Sequence, residues 1–261
     1  MKFDESHLID AAVSLENQGF WVSPIRVTES HLNEFVSAAK LELCNILGSE
    51  QESDPQVAHK SSAYAAKDMI FLGSDWVLSQ ELTYLMAMSP GILNIVGNYL
   101  KVEPILNLPE SWFSFPVEAL KVESAQNWHV DCDRVKWIKV FVYLTDVGED
   151  NGPHSFVAKS HKNWRLPVTN SRFTNDQVLS KFFLGDLKTF VAQKGTVIFE
   201  DTRGIHKGSR LNAGYRFILQ LEFSTDSFGY IHPVFVVPRK FAKLVASNPL
   251  LFPKDRFSIS M

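Results

Sequence analysis

Apolar residues recur at helical spacing over the first hundred positions and at alternating spacing beyond them. Leu8, Ala11, Ala12 and Leu15 fall on one face of a short helix that Gly19 would stop. Phe20-Trp21-Val22 reads as a first strand. Thr28 is placed to cap a second helix, whose apolar residues Leu32, Phe35, Val36, Ala39 and Leu43 follow i, i+3, i+4 steps towards a stop at Gly48. Residues 49–60 are polar, contain Pro55 and predict an exposed loop. A further helical stretch spans 78–100, broken or kinked at Ser89-Pro90-Gly91 because proline cannot continue the hydrogen-bond ladder.

From about residue 101 short β-rich runs take over: 118–123, 137–144, 156–158, 189–192, 196–199 and 215–223, most of them bounded by Gly, Pro, Asn or Asp. One helical candidate, 175–183, interrupts them. Phe217, Leu219 and Leu221 alternate with Ile218, Gln220 and Glu222, so this strand has an apolar face and a mostly polar one. Arg216 belongs to the polar face, which meets either solvent or a polar cavity. Many short strands in succession suggest a sandwich or a barrel. The pattern is mainly β with a helical N-terminal layer. With no repeat or linker in view, one domain is expected over 1–261: mostly helical support and substrate-side elements in 1–100, a β core in 101–225 and a C-terminal extension in 226–261.

Composition narrows the function classes. A formal net charge of −3 lacks the basic footprint of a nucleic-acid binder. No apolar run approaches a membrane span, and the start MKFDESHLID has no apolar stretch of the secretory kind. Cys44 and Cys132 do not make a disulfide framework, so a reducing cytoplasm is the simplest compartment. A small-molecule substrate is the remaining expectation, and the many phenylalanines supply core and pocket walls alike.

The chemistry concentrates at His129-Val130-Asp131. On an extended segment an imidazole and a carboxylate two residues apart point the same way. A second histidine from a distant strand, His206, would complete two histidines and one carboxylate on one side of a metal, the arrangement of non-haem Fe(II) oxygenases. Arg216 is placed to hold a carboxylate by paired charge-assisted hydrogen bonds. Each residue has a plainer reading: an accidental His-x-Asp, a solvated loop histidine, an arginine paired with Glu222. His154 and His161, an odd seven residues apart, are read as structural. Cys132 reads as a small buried hydrophobe, Trp128 as pocket or core, and Lys121 and Lys139 as exposed strand lysines.

Several segments together resemble the phytanoyl-CoA dioxygenase family of Fe(II)/2-oxoglutarate oxygenases. Gln126-Asn127-Trp128-His129-Val130-Asp131 resembles the segment that carries the first two ligands. Residues 143–147 and Asn151-Gly152-Pro153 resemble the strand and turn that follow. Ser160-His161-Lys162 resembles a Gly-Ser-His corner, with Lys159 where glycine is usual, and 195–216 resembles the segment with the second histidine and the cosubstrate arginine.

The resemblance covers about 118–223 and implies a double-stranded β-helix, a jelly-roll or cupin-like barrel. His129, Asp131 and His206 would bind Fe(II), and Arg216 would take the far carboxylate of 2-oxoglutarate. Gln126 would be a pocket donor. A hydroxyl usual two residues after the second histidine is replaced by Gly208, leaving Ser209 nearest; Arg210 is a poorer rival to Arg216. The implied reaction uses O2 to oxidise a small organic substrate, with succinate and CO2 released and no side-chain acid or base beyond the ligands. A carboxylate at 131 argues against halogenation. A Zn(II) or other-metal hydrolase on a cupin-like barrel, and a non-catalytic binding module, stay open as alternatives.

Overall fold

Helix α1 (Glu5–Gln18) begins where the Asp4 carboxylate accepts the His7 N–H and ends at Gly19, whose φ of 90° is left-handed. Strand β1 (Phe20–Val22) follows directly. Helix α2 (Glu29–Leu47) buries Leu32, Phe35, Ala39 and Leu43 and stops at Gly48. Thr28 holds its N-cap position, but its hydroxyl meets His31 Nδ1 at 2.8 Å and no backbone N–H. The computed structural model describes residues 1–259 apart from 52, 120, 122–123, 134, 164, 166–170 and 229–233. Among the described residues no helix is long and apolar enough to cross a membrane.

The stretch expected as loop contains helix α3 (Pro55–Ser61). Asp54 accepts the N–H groups of Gln56 and Val57, and Pro55 sits in the first turn where its missing donor costs nothing. Three helices follow: α4 (Ser74–Leu78), α5 (Glu81–Ala87) and α6 (Pro90–Leu100), with the break at Ser89-Pro90 that proline imposes. Two short helices lie later, α7 (Asn175–Leu179) and α8 (Ala242–Ala246).

The remaining strands are β2 (Met69–Leu72), β3 (Ile105–Ser114), β4 (Trp128–His129), β5 (Trp137–Tyr143), β6 (His154–Val157), β7 (Arg172–Phe173), β8 (Leu187–Phe190), β9 (Val197–Glu200), β10 (His206–Gly208), β11 (Arg216–Ser224), β12 (Phe235–Val237) and β13 (Phe257–Ile259). The strand expected at 118–123 falls partly outside the described residues, and Glu118 and Ala119 are bends.

The closed double-stranded β-helix, jelly-roll or cupin-like barrel does not form. The fold is mixed, helices with antiparallel sheets. One sheet runs β1-β9-β5-β11-β3-β2 and the other β7-β4-β10-β6-β8; each is open, with two unjoined edge strands. A parallel β12–β13 pair stands apart. Closure fails at the edges: β1, β2, β7 and β8 are only two to four residues long, too short to carry a ladder round a corner from one sheet to the other. The two sheets are held instead by side chains, among them Trp112, Phe141, Tyr143, Phe156, Phe190 and Ile218. Helices cover the outer face of the larger sheet, where Phe217, Leu219, Leu221 and Phe223 join Leu15, Leu32 and Phe35 in one apolar cluster.

The polar face of β11 therefore points inward, towards the other sheet. Antiparallel register arranges that inner face in rows. Lys139 is opposite both Glu200 and Glu222; Phe141 is opposite Gln220, which is opposite Glu110; Tyr143 is opposite Ile218, which is opposite Trp112; Arg216 is opposite Ser114. Titratable groups thus sit at one end of the interior and a guanidinium at the other.

Candidate metal centre

His129 and His206 are direct partners in the β4–β10 ladder, and this register, rather than chain proximity, brings their rings to 4.1 Å between centroids. Each Nδ1 faces a carbonyl two residues earlier, Asn127 O at 2.8 Å and Gly204 O at 2.9 Å. A carbonyl only accepts, so each Nδ1 carries the proton and each Nε2 turns its lone pair to the centre. Asp131, just past β4, is fixed by its N–H donating to Thr202 O at 2.9 Å. Its Oδ1 lies 3.7 Å from His129 Nε2 and its Oδ2 3.5 Å from His206 Nε2. The three side chains offer ligand atoms within 4.8 Å of one another. Two imidazoles and one carboxylate on one side are a facial triad, a donor set suited to ferrous iron with positions left over.

Burial depresses the basicity of both imidazoles, His129 well below its ordinary value, so they stay neutral as ligands must. Burial alone would raise the Asp131 carboxyl. The Lys139 ammonium, by its charge and its hydrogen bond, outweighs it and holds that carboxyl well below the usual range.

The triad opens into a cavity of about 190 Å³ whose wall includes Met69, Phe71, Glu110, Trp112, Phe141, His154 and Arg216. Arg216 is 2% exposed. Its Nη1 donates to Gly152 O and its Nη2 to Ser114 Oγ, while its Nε and the Trp112 indole N–H have no acceptor. A Cβ at Gly208 would collide with the guanidinium. Gly208 shares a strand face with His206, so the guanidinium sits one side-chain repeat, roughly 7 Å, along β10 from the histidine.

The structure thus brings His129, Asp131, His206 and Arg216 to one cavity and leaves Gln126 and Ser209 outside it. Ser209 turns its hydroxyl to Ser155 Oγ at 2.9 Å. Gln126 is buried beside Asp68, its Nε2 donating to Asp68 O at 3.4 Å, and borders a neighbouring groove with Trp128. Trp128 packs in the apolar cluster behind the smaller sheet and donates to Asn175 Oδ1. Arg210 is exposed and donates to the carbonyls of Val117 and Glu118. Cys132, expected to be buried, is exposed, because it alternates away from its inward neighbour Asp131.

Sequence reasoning missed three groups beside the triad. Lys139, expected on an exposed face, is 8% exposed and donates to Asp131 Oδ2 at 2.7 Å. His154 lines the cavity, its ring nearly parallel to that of His206 at 5.7 Å, and its Nε2 meets the buried Glu200 carboxyl at 3.0 Å. One signal was available: Trp137, Lys139, Phe141 and Tyr143 share a face, and three large aromatics mark that face as interior. His161 packs with its Nε2 against Glu16 O on α1 at 3.2 Å.

The sequence matches no family model and no curated protein. The structure does match solved ones. The non-heme alpha ketoglutarate dependent epimerase SnoN from nogalamycin biosynthesis is 16% identical, with a TM-score of 0.59 over 85% of this chain and 82% of that one. The alpha ketoglutarate dependent carbocyclase SnoK from the same biosynthesis is also 16% identical, at 0.59 over 85% and 84%. HygX from Streptomyces hygroscopicus, solved with nickel and 2-oxoglutarate bound, is 14% identical, at 0.60 over 89% and 91%. This chain shares its fold with these three proteins.

Proposed function

We propose that this protein is an Fe(II)- and 2-oxoglutarate-dependent oxygenase acting on a small organic substrate. One observation carries the reading: a facial triad of two buried histidines and a half-buried carboxylate shares one cavity with a buried guanidinium. His129 Nε2, His206 Nε2 and the Asp131 carboxylate would hold the iron, and Arg216 would take the far carboxylate of the keto acid. The residues fit these groups. The Nε2 lone pairs converge, the carboxylate is anionic, and the Arg216 Nε donor lacks an acceptor that a bound carboxylate would supply. When bound, iron and keto acid supply oxidation of a C–H bond by O2, with succinate and CO2 formed.

The chain's own part is positioning and exclusion of water. Phe141, Ile218 and Trp112 supply the apolar part of the floor between the triad and Arg216, beside the polar Gln220 and Glu110, and limit the room for solvent beside the reacting atoms. Asp131 occupies the place that must be vacated for a halide, so oxygen insertion, desaturation or ring closure suit this site better than halogenation. Two proteins of like fold, SnoN and SnoK, come from nogalamycin biosynthesis. A natural-product intermediate is accordingly the substrate class to screen.

Anaerobic titration of the purified protein with Fe(II) and then 2-oxoglutarate tests the reading. A visible charge-transfer band is expected, lost in Asp131→Ala and His206→Ala. No band, and no succinate in air with any of a panel of substrates, would leave the assignment without support.

A further inference from the structure

We propose that Lys139 is a positioning residue of the metal site: its ammonium holds one carboxylate oxygen of Asp131 and leaves the other free for the metal. The inference rests on the reading of His129, Asp131 and His206 as ligands. Strand β4 ends at His129, so Asp131 lies beyond the ladder that fixes the two histidines. A backbone hydrogen bond to Thr202 O holds its main chain but not its carboxylate. Lys139 Nζ supplies that second hold, at 2.7 Å from Asp131 Oδ2 and 3.1 Å from Asp133 Oδ2. Two acids two residues apart on an extended segment reach one ammonium, which staples residues 131–133 to β5.

The setting argues that the ammonium is there for the site and not for stability. Lys139 stands in register between Glu200 on β9 and Glu222 on β11, at 8%, 0% and 0% exposure, with Glu222 Oε2 3.7 Å from Nζ. A buried ammonium–carboxylate pair such as Lys139–Glu222 is a poor stabiliser, because desolvation consumes most of the attraction and well-packed apolar side chains fill such space at least as well. What the row does provide is a fixed cation under the ligand. A carboxylate with both oxygens free can chelate a metal and take an extra coordination position. With Oδ2 shared by an ammonium, Asp131 is a one-oxygen ligand, and the remaining positions stay open for other ligands.

Cobalt(II) is a suitable probe, since its visible spectrum reports coordination number without turnover. Lys139→Met is compared with the wild type, with Lys139→Arg as rescue, and with Lys139→Met/Glu222→Gln, which removes one charge of each sign and guards against misfolding. The expected result is a cobalt(II) affinity lowered about ten- to a hundredfold in both methionine variants, the range for partners that orient a ligand. A changed visible spectrum should accompany it, and arginine should restore much of both. Unchanged or tighter affinity with the wild-type spectrum overturns the proposal, including the case where only thermal stability falls. If the wild-type chain takes up no cobalt, the ligand reading itself fails, and this inference with it.

Discussion

Arg216 owes its place to Gly208. The guanidinium occupies the space that any side chain at 208 would need. A hydroxyl is common at that position in the pattern this sequence resembles; here Ser114 on β3 supplies a hydroxyl partner instead. Gly208→Ala should push the guanidinium off its carbonyl and hydroxyl partners. The expected cost is roughly tenfold in keto-acid affinity, about 1.4 kcal/mol, with metal affinity unchanged. Calorimetric titration of the metal-loaded variant checks this, and an equal loss of metal binding would show instead that β10 itself had shifted. Arg216→Lys should lose as much or more, because an ammonium cannot reproduce a planar fork. At this scale, the residues legible in sequence were those whose meaning lies in their type and spacing: His129, Asp131, His206 and Arg216. The interior face of Lys139 was legible from its aromatic neighbours, but the partners of Lys139, Glu200 and His154 were not. Their roles come from pairings across some sixty or eighty positions, Lys139 with Glu200 and Glu222, which no local pattern encodes.

The turn from β9 to β10 serves both ligands that flank it. Gly204 O receives the His206 Nδ1 proton, and Thr202 O receives the Asp131 N–H. Its anchor is Asp201, fully buried, which accepts from Tyr99 Oη on α6 at 2.5 Å and from Arg203 Nε at 2.9 Å. Tyr99→Phe removes one donor from a buried carboxylate and should cost about 1–3 kcal/mol of stability. If the turn transmits that loss, metal affinity should fall several-fold as well. Urea unfolding and metal titration of the same variant separate the two, and lowered stability with intact metal binding would mean that Arg203 alone keeps the turn in place. Elements differed in how well the sequence announced them. The long amphipathic helix α2 and strand β11 were plain from periodicity. Strand β3 was hidden although it is an interior strand, because Pro109 stands in mid-strand opposite Leu221, where proline normally argues against pairing. Barrel closure was inferred from the resemblance, and it failed where the edge strands of the two sheets proved too short.

Across the molecule, the buried Glu200–His154 contact ties β9 of one sheet to β6 of the other. Burial raises the Glu200 carboxyl to about 8 and lowers the His154 imidazole to about 3. With those shifts both are uncharged near neutrality, and the contact is a hydrogen bond between neutral groups. The two shifts act on stability with opposite sign. Glu200 holds a proton that the unfolded chain releases near 4.5, so stability falls as pH rises from there to about 8. His154 refuses a proton that the unfolded chain binds below 6.5, so stability rises with pH from about 3 to 6.5. Each slope is about 1.4 kcal/mol per pH unit, and between 4.5 and 6.5 they cancel. Above 6.5 only the glutamate slope remains, which predicts a loss of about 2 kcal/mol by pH 8 in the metal-free protein. Glu200→Gln keeps the hydrogen-bonding shape and has nothing to titrate, so its stability should be level over that window. Urea midpoints of wild type and variant at half-unit steps from pH 6.5 to 8.5 measure the difference; parallel curves would mean that Glu200 is ionised throughout and that the two sheets are joined there by an ion pair.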